Sequence, residues 1–213
     1  IRAHADKERL FTNYYKKNTW GDPESRSGTG STLEHTARLR AQLPGFFQKY
    51  RIKSLLDAPC GDFNWFQHVE KGDLRYIGGD IVLPLIDENK KRFANATTEF
   101  LHLDIINDKL PRTDLWLCRD VLFHFSENDI FVALCRFVES ETPWILTTTF
   151  PEHETNKDIP TGSFRLLNLE KPPFNFGPPA DSLIDSVEGW QKRTMGLWDR
   201  DSVIQVLREN NKL

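Results

Sequence analysis

Three aspartates in this chain each follow a short apolar run. Asp57 closes Ser54, Leu55 and Leu56; Asp80 closes the run from Tyr76 to Gly79; Asp104 closes the run from Phe100 to Leu103. Asp57 is followed by Ala58, Pro59, Cys60 and Gly61, a tight turn in which a residue without a side chain lets a ligand lie against the backbone. Asp57 can accept hydrogen bonds from an ammonium group or from turn amides, the plainer alternative being a carboxylate that caps the next helix. Asp80, about 20 residues past the first strand's turn, is placed to accept both hydroxyls of a ribose. Asp104 can accept an adenine amino group, with Ile81 and Ile105 sandwiching the ring. Sheet building alone does not put three carboxylates at successive strand ends, so the pattern predicts a nucleoside-type cofactor.

These groups need a scaffold, and the hydrophobic pattern supplies one. Residues 52–58, 75–81, 99–103, 114–118 and 144–150 read as strands. Helices are predicted over 4–17, with Phe11, Tyr14 and Tyr15 on the buried face, and over 64–70, 84–96 and 127–140. A further helix starts at Ser31 or Thr32 as cap and ends near Pro44 or Tyr50. Strands alternating with helices imply parallel pairing through right-handed crossovers and a doubly wound α/β sheet. Residues 151–179, rich in Pro, Gly, Asn and Thr, are too long for a simple connection and read as a functional excursion. The tail from Asp181 reads as a last helix and a strand pair.

The ordered set Asp57 to Gly61, Asp80, Asp104 and the stretch Leu115 to His124 resembles the motifs of class I S-adenosylmethionine-dependent methyltransferases. The match covers about residues 52–150. It implies a Rossmann-like, mostly parallel seven-stranded sheet with N-terminal helices and an insertion after strand five. It also implies S-adenosylmethionine as cofactor, with Cys60 and Arg119 beside the residues already named. Pro59 and Cys60 stand where many members carry glycine. The missing phosphate-binding glycines argue against a dinucleotide, and so against a hydride-transferring dehydrogenase. The form Asp57-Ala58-Pro59-Cys60-Gly61-Asp62-Phe63-Asn64-Trp65 is similar to a subgroup found beside glycan-building enzymes, and to the methyltransferase domain ending a multifunctional glycosyltransferase of large algal viruses. That likeness implies O-methylation of a sugar hydroxyl, for instance on a deoxyhexose such as rhamnose.

Under this reading the loop from Trp20 to Ser31 closes over the cofactor. Trp20 offers an indole face to a sulfonium, and Arg26 or the amides around Ser27, Gly28 and Ser31 suit a carboxylate. Deprotonating a hydroxyl needs a general base near the attacking oxygen. His124 and Asp120 are the nearest candidates, His124 leading, with the Asp120 carboxylate also able to orient its imidazole, and His153 competes. Glu152, His153 and Glu154 read as a solvated turn, and no metal is expected. The acceptor pocket draws on Phe150, on Arg165 and Asn168 as planar donors, and on Phe123 and Trp198 as apolar walls. The segment Pro172-Pro173-Phe174 reads as a turn, because the tetrapeptide of base N-methyltransferases belongs after strand four.

Composition narrows the rest. The 213 residues suit one domain, divided into a helical cap and cofactor loop (1–50), a cofactor-binding core (51–150) and an acceptor-binding remainder (151–213). A net charge of −3 and a pI near 6.1 give no general pull toward nucleic acid. Three dispersed cysteines (Cys60, Cys118, Cys135) fit a reducing compartment, so a cytoplasmic location is expected, that of the host if the source is viral. No membrane span is expected. The opening at Ile1 rather than Met points to a trimmed chain or, in preference, a domain of a longer protein, and the resemblance implies that such a longer chain contains a glycosyltransferase. Besides a sugar hydroxyl, the alternatives are another small metabolite, a nucleic acid, or a non-catalytic cofactor-binding module.

Overall fold

The computed structural model describes residues 2–213; Ile1 lies outside them. In chain order the elements are α1 (Arg2–Lys17), α2 (Leu33–Lys49), β1 (Ser54–Asp57), β2 (Arg75–Asp80), α3 (Leu83–Phe93), β3 (Thr98–His102), β4 (Leu115–Cys118), α4 (Glu127–Glu139), β5 (Trp144–Thr149), β6 (Asp181–Ile184), β7 (Thr194–Asp199) and α5 (Arg200–Glu209). Seven strands form one sheet in the order β3-β2-β1-β4-β5-β7-β6. The first five run parallel, and β7 lies antiparallel between β5 and β6.

Successive side chains of a strand point to opposite faces, and the core divides accordingly. Leu56, Ile77, Trp116 and Ile145 face one layer with Ile130, Phe137 and Val203 of α4 and α5. Leu55, Tyr76, Leu117 and Leu146 face the other with Leu39, Leu43 and Phe46 of α2 and Ile86 of α3. Both faces being covered, the central strands are continuous apolar runs rather than alternating ones. Thr32 caps α2 by accepting from the His35 amide (3.3 Å), and Ser126 caps α4 by accepting from Asp129 (3.2 Å). No helix among the described residues is long and apolar enough to cross a membrane.

One expectation about the elements needs correction. The helix predicted over 64–70 is only a single 3-10 turn, Phe66–His68. Phe63 adopts φ +58°, outside the right-handed helical region, and its ring is locked against Phe66, Tyr76, Phe93 and Phe100. Aromatic packing therefore overrides the helical pattern there. Of the two ends expected for α2, the structure takes the one at Tyr50: the helix runs through Pro44 to Lys49, because buried Leu43, Phe46 and Phe47 hold both sides of the proline in the core.

The segment after β5 is tied down by its own contacts. The Phe150 amide donates to Leu167 O (2.9 Å), the Phe176 amide to Leu169 O (2.9 Å), and Leu167, Leu169 and Phe174 are fully buried. On β7 the Trp198 ring lies over Gly196, two residues earlier on the same face. A Cβ at Gly196 would collide with that ring. Gly196→Ala is therefore expected to cost about 1–3 kcal/mol by overpacking, read from urea unfolding; wild-type stability would show that the Trp198 ring does not lie where described.

Candidate active site

Strand order reverses between β1 and β4, and a crevice opens at their carboxyl ends, as open α/β sheets require. The cavity there has a volume of about 430 Å³. It gathers Asp57, Cys60, Gly61, Asp80, Ile81, Asp104 and Ile105 from the first three strand ends. It adds Trp20, Ser27, Gly28 and Ser31 from the N-terminal loop, and Arg119, Asp120, Phe123 and His124 from the end of β4.

The turn after β1 explains how the loop arrives. Gly61 has φ +54°, a conformation that favours glycine, and a Cβ there would strike Ser27 Oγ. The Gly61 amide donates to Asp80 Oδ2 (3.1 Å), and its carbonyl accepts from Asn89 Nδ2 (2.8 Å). Next in sequence, Asp62 accepts from Ser25 Oγ, from the Arg26 amide (2.7 Å) and from Ser27 Oγ. Asn64 donates to Ser31 O (3.0 Å) and to Glu24 (2.7 Å). Asp62 and Asn64 thus hold the loop over the turn. Their signal, a carboxylate and an amide beside Gly61, was visible in the motif, but the sequence reading assigned them no role.

The three carboxylates differ in their partners. Asp57 is buried, and its Oδ2 takes the Tyr76 hydroxyl (2.7 Å) rather than turn amides. Burial pushes its pKa up to about 7. Asp80 takes the Val82 and Gly61 amides (2.9 and 3.1 Å), and burial pushes it to about 6. Asp104 stands two residues beyond β3 rather than at its end. There it closes a turn by accepting from the Ile106 amide (2.9 Å) and from Asn107 Nδ2 (2.7 Å).

At β4 the roles expected of Arg119 and Asp120 need revision. The Arg119 guanidinium is committed to the fold: it donates to both oxygens of buried Asp185 (3.0 Å each) and to Gly30 O (2.7 Å), and lies 5.3 Å over the Trp65 ring. Asp120, at φ +55°, is gripped by Arg193 Nη1 (3.0 and 3.1 Å) and lies 3.2 Å from Arg119 Nη1. Burial pushes the Asp120 carboxyl up, but the two guanidiniums outweigh it and hold it below the usual range. A carboxylate so stabilised makes a poor base. Nor does it orient His124, whose Nδ1 lies 2.7 Å from the Ser163 carbonyl. That carbonyl fixes the proton on Nδ1 and leaves Nε2 as the acceptor. Burial lowers the His124 pKa below its ordinary 6.5, favouring the neutral ring.

Six expected residues do not line the cleft. The exposed Arg26 side chain faces a separate crevice of about 400 Å³ with Lys16, Glu88 and Arg92. His153 lies outside the cleft, its amide donating to Phe150 O and its carbonyl accepting from Asn168, while Glu152 and Glu154 pair with Lys192 and Lys171. Asn168 holds the excursion by donating to the Pro151 and His153 carbonyls (3.2 and 2.9 Å). Trp198 is core, its indole donating to Gly177 O (3.1 Å). Phe150 packs behind Phe123, and Arg165 braces that segment through Phe125 O (2.5 Å). In their place the cleft gains Arg193, Trp190 and Phe164. Nothing in their local sequence marks them.

This strand order, with its antiparallel seventh strand inserted between the fifth and sixth, is the class I methyltransferase fold. No family model matches the chain, and no curated protein matches it by sequence. Solved structures do match. Magnesium protoporphyrin IX methyltransferase from Synechocystis PCC 6803, crystallised with S-adenosylmethionine, superposes with a TM-score of 0.59 at 10% identity, covering 91% of this chain and 97% of that one. N-methyltransferase NodS from Bradyrhizobium japonicum WM9 gives 0.56 at 11%, covering 78% and 96%. Human N-acetylserotonin methyltransferase gives 0.56 at 13%, covering 76% and 51%. The chain thus spans about half the length of the human enzyme, and likewise of the methyltransferase SibL (54%). At these identities the likeness establishes the fold.

The buried carboxylates make a prediction about the ligand-free protein. Because the folded pKa of Asp57 is raised from 3.8 to about 7, its contribution to stability is present below 3.8 and lost as pH rises through 7. Asp57→Asn keeps the Tyr76 contact and does not titrate. Its stability advantage over wild type should therefore grow between pH 4 and pH 8.5, to about 4 kcal/mol at most. Thermal unfolding at both pH values measures it, and a pH-independent difference would mean that Asp57 is not a buried, costly charge.

Proposed function

We propose that the chain is an S-adenosylmethionine-dependent O-methyltransferase acting on a sugar hydroxyl, such as one on a deoxyhexose like rhamnose, in glycan building. The observation that carries the reading is one cleft in which a glycine turn ringed by buried carboxylates adjoins a histidine whose Nε2 is an acceptor. Crystallisation of class I neighbours with S-adenosylmethionine supports the choice of cofactor, and the resemblance of the Asp57–Trp65 motif to glycan-associated enzymes supports the choice of acceptor.

The residues present fit that cofactor. Gly61 lines the cleft, and its missing side chain lets the Ser27 loop close over the turn. Among the described residues nothing donates to Asp57 Oδ1, so it is open to an ammonium group. Asp80 has lone pairs left for ribose hydroxyls, Ile81 and Ile105 supply apolar faces for adenine, and Asp104 lies beside them. Trp20 and the Ser27, Gly28 and Ser31 backbone cover the methionine end. When bound, S-adenosylmethionine supplies a methyl group on a cationic sulfur. The protein's part is to hold the acceptor oxygen in line, exclude water, and take the hydroxyl proton at His124 Nε2. Buried Phe123 keeps that end of the cleft weakly polar.

Incubation with S-adenosylmethionine and a panel of rhamnosides, phenols and amines, read by mass, tests the reading. Methyl ethers of the rhamnosides are expected, and transfer to amines alone would contradict it. His124→Ala should lower kcat about a hundredfold with cofactor affinity unchanged; a near-normal rate would remove His124 as the base. Because His124 must be neutral to act, and its pKa is depressed, the acid limb of kcat/KM should fall below pH 6.5. A limb above pH 6.5 would point to another group.

A further inference from the structure

Large aromatic rings left in water are costly, and where they gather they mark a ligand surface. Among the described residues the exposed large apolar side chains are Trp20, Leu83, Phe164, Ile184, Trp190 and Leu213. All three aromatic members of this set, and none of the aliphatic ones, line the cleft. Trp20 belongs to the cofactor loop. Phe164 and Trp190, each 60% exposed, come from two segments outside the parallel core: the excursion after β5 and the connection between β6 and β7.

Neither ring hangs on a loose loop. On one side of Phe164 the Ser163 carbonyl binds His124, and on the other the Arg165 amide donates to Phe123 O (3.2 Å). Its ring packs edge-on against Phe123 (5.4 Å between centroids) and lies 5.8 Å from the His124 ring. Trp190 meets His35 edge-on at 4.6 Å, and its amide donates to Val187 O (3.1 Å). Three residues on, Arg193 anchors the same connection to β4 through Asp120 and to Asp185 O (2.7 Å). Arg193 lines the cleft, and among the described residues its buried Nη2 has no partner, an unsatisfied donor of the kind a ligand oxygen completes.

We propose that Phe164 and Trp190 are the acceptor-binding pair: two preorganised aromatic walls for the less polar face of a pyranose ring, with Arg193 donating to one of its oxygens. This rests on the O-methyl-transfer reading and adds the residues that select its substrate. Rings already fixed in place lose little freedom on binding, so their contribution falls on acceptor affinity. Phe164 also adjoins the His124 ring, so a sugar stacked on it presents its hydroxyls at the base.

The test uses methyl α-L-rhamnopyranoside as acceptor and S-adenosylhomocysteine as cofactor probe. Phe164→Ala and Trp190→Ala should each raise acceptor KM about tenfold or more, with kcat within about threefold and the affinity for S-adenosylhomocysteine unchanged. Phe164→Tyr and Trp190→Phe should restore KM. Methyl transfer with unchanged KM in both alanine variants would overturn the pair while leaving the methyltransferase reading in place. Rhamnoside neither methylated nor bound, while a phenol is, would overturn the pyranose assignment. Failure of the wild-type protein to bind S-adenosylhomocysteine would instead remove the cofactor reading and, with it, this proposal.

Discussion

The close approach of the Ser27 side chain to Gly61 sets the geometry of everything above the sheet. A side chain at position 61 would strike Ser27, so glycine there is what lets the N-terminal loop rest on the turn after β1. Asp62 then fastens three successive loop residues. With the loop in place, Gly30 presents its carbonyl to Arg119, and Arg119 in turn binds Asp185 at the end of β6. Arg193 binds the same aspartate's carbonyl and reaches back to Asp120. One close approach is thus passed through paired charges from the loop to the β6–β7 connection, on which Trp190 sits.

Electrostatics divides the cleft into a finished half and an unfinished half. Half-buried Asp120 and fully buried Asp185 lie beside two guanidiniums, and their charges are answered within the protein. Such a network is structural, because removing one partner leaves a buried charge exposed to low dielectric. Asp57 and Asp80 are buried beside a hydroxyl and backbone amides, and among the described residues no cation is bonded to either. Their carboxyls are pushed toward neutral pH. That is the state of groups whose proper partners arrive with a ligand.

The parallel core was legible because buried strands are unbroken apolar runs with turns at fixed places, and Asp57, Asp80 and Ile105 follow from those turns. His124 was legible too, as a titratable group just past a strand end. Its orienting partner was not, since Ser163 lies 39 residues away and acts through its backbone. Asn168 and Trp198 looked like binding residues by type, yet one ties down a loop and the other fills the core. Arg193, Phe164 and Trp190 carried no local signal. Their meaning comes from the folding of two irregular segments onto one cleft, which periodicity does not encode.

Calorimetric titration of the protein with S-adenosylmethionine, S-adenosylhomocysteine and NAD tests the central claim most directly. Binding of the first two at one site per chain, and no binding of NAD, is the predicted result. Binding of NAD alone, or of none of the three, would contradict the assignment of the Gly61 cleft and its carboxylates to this cofactor.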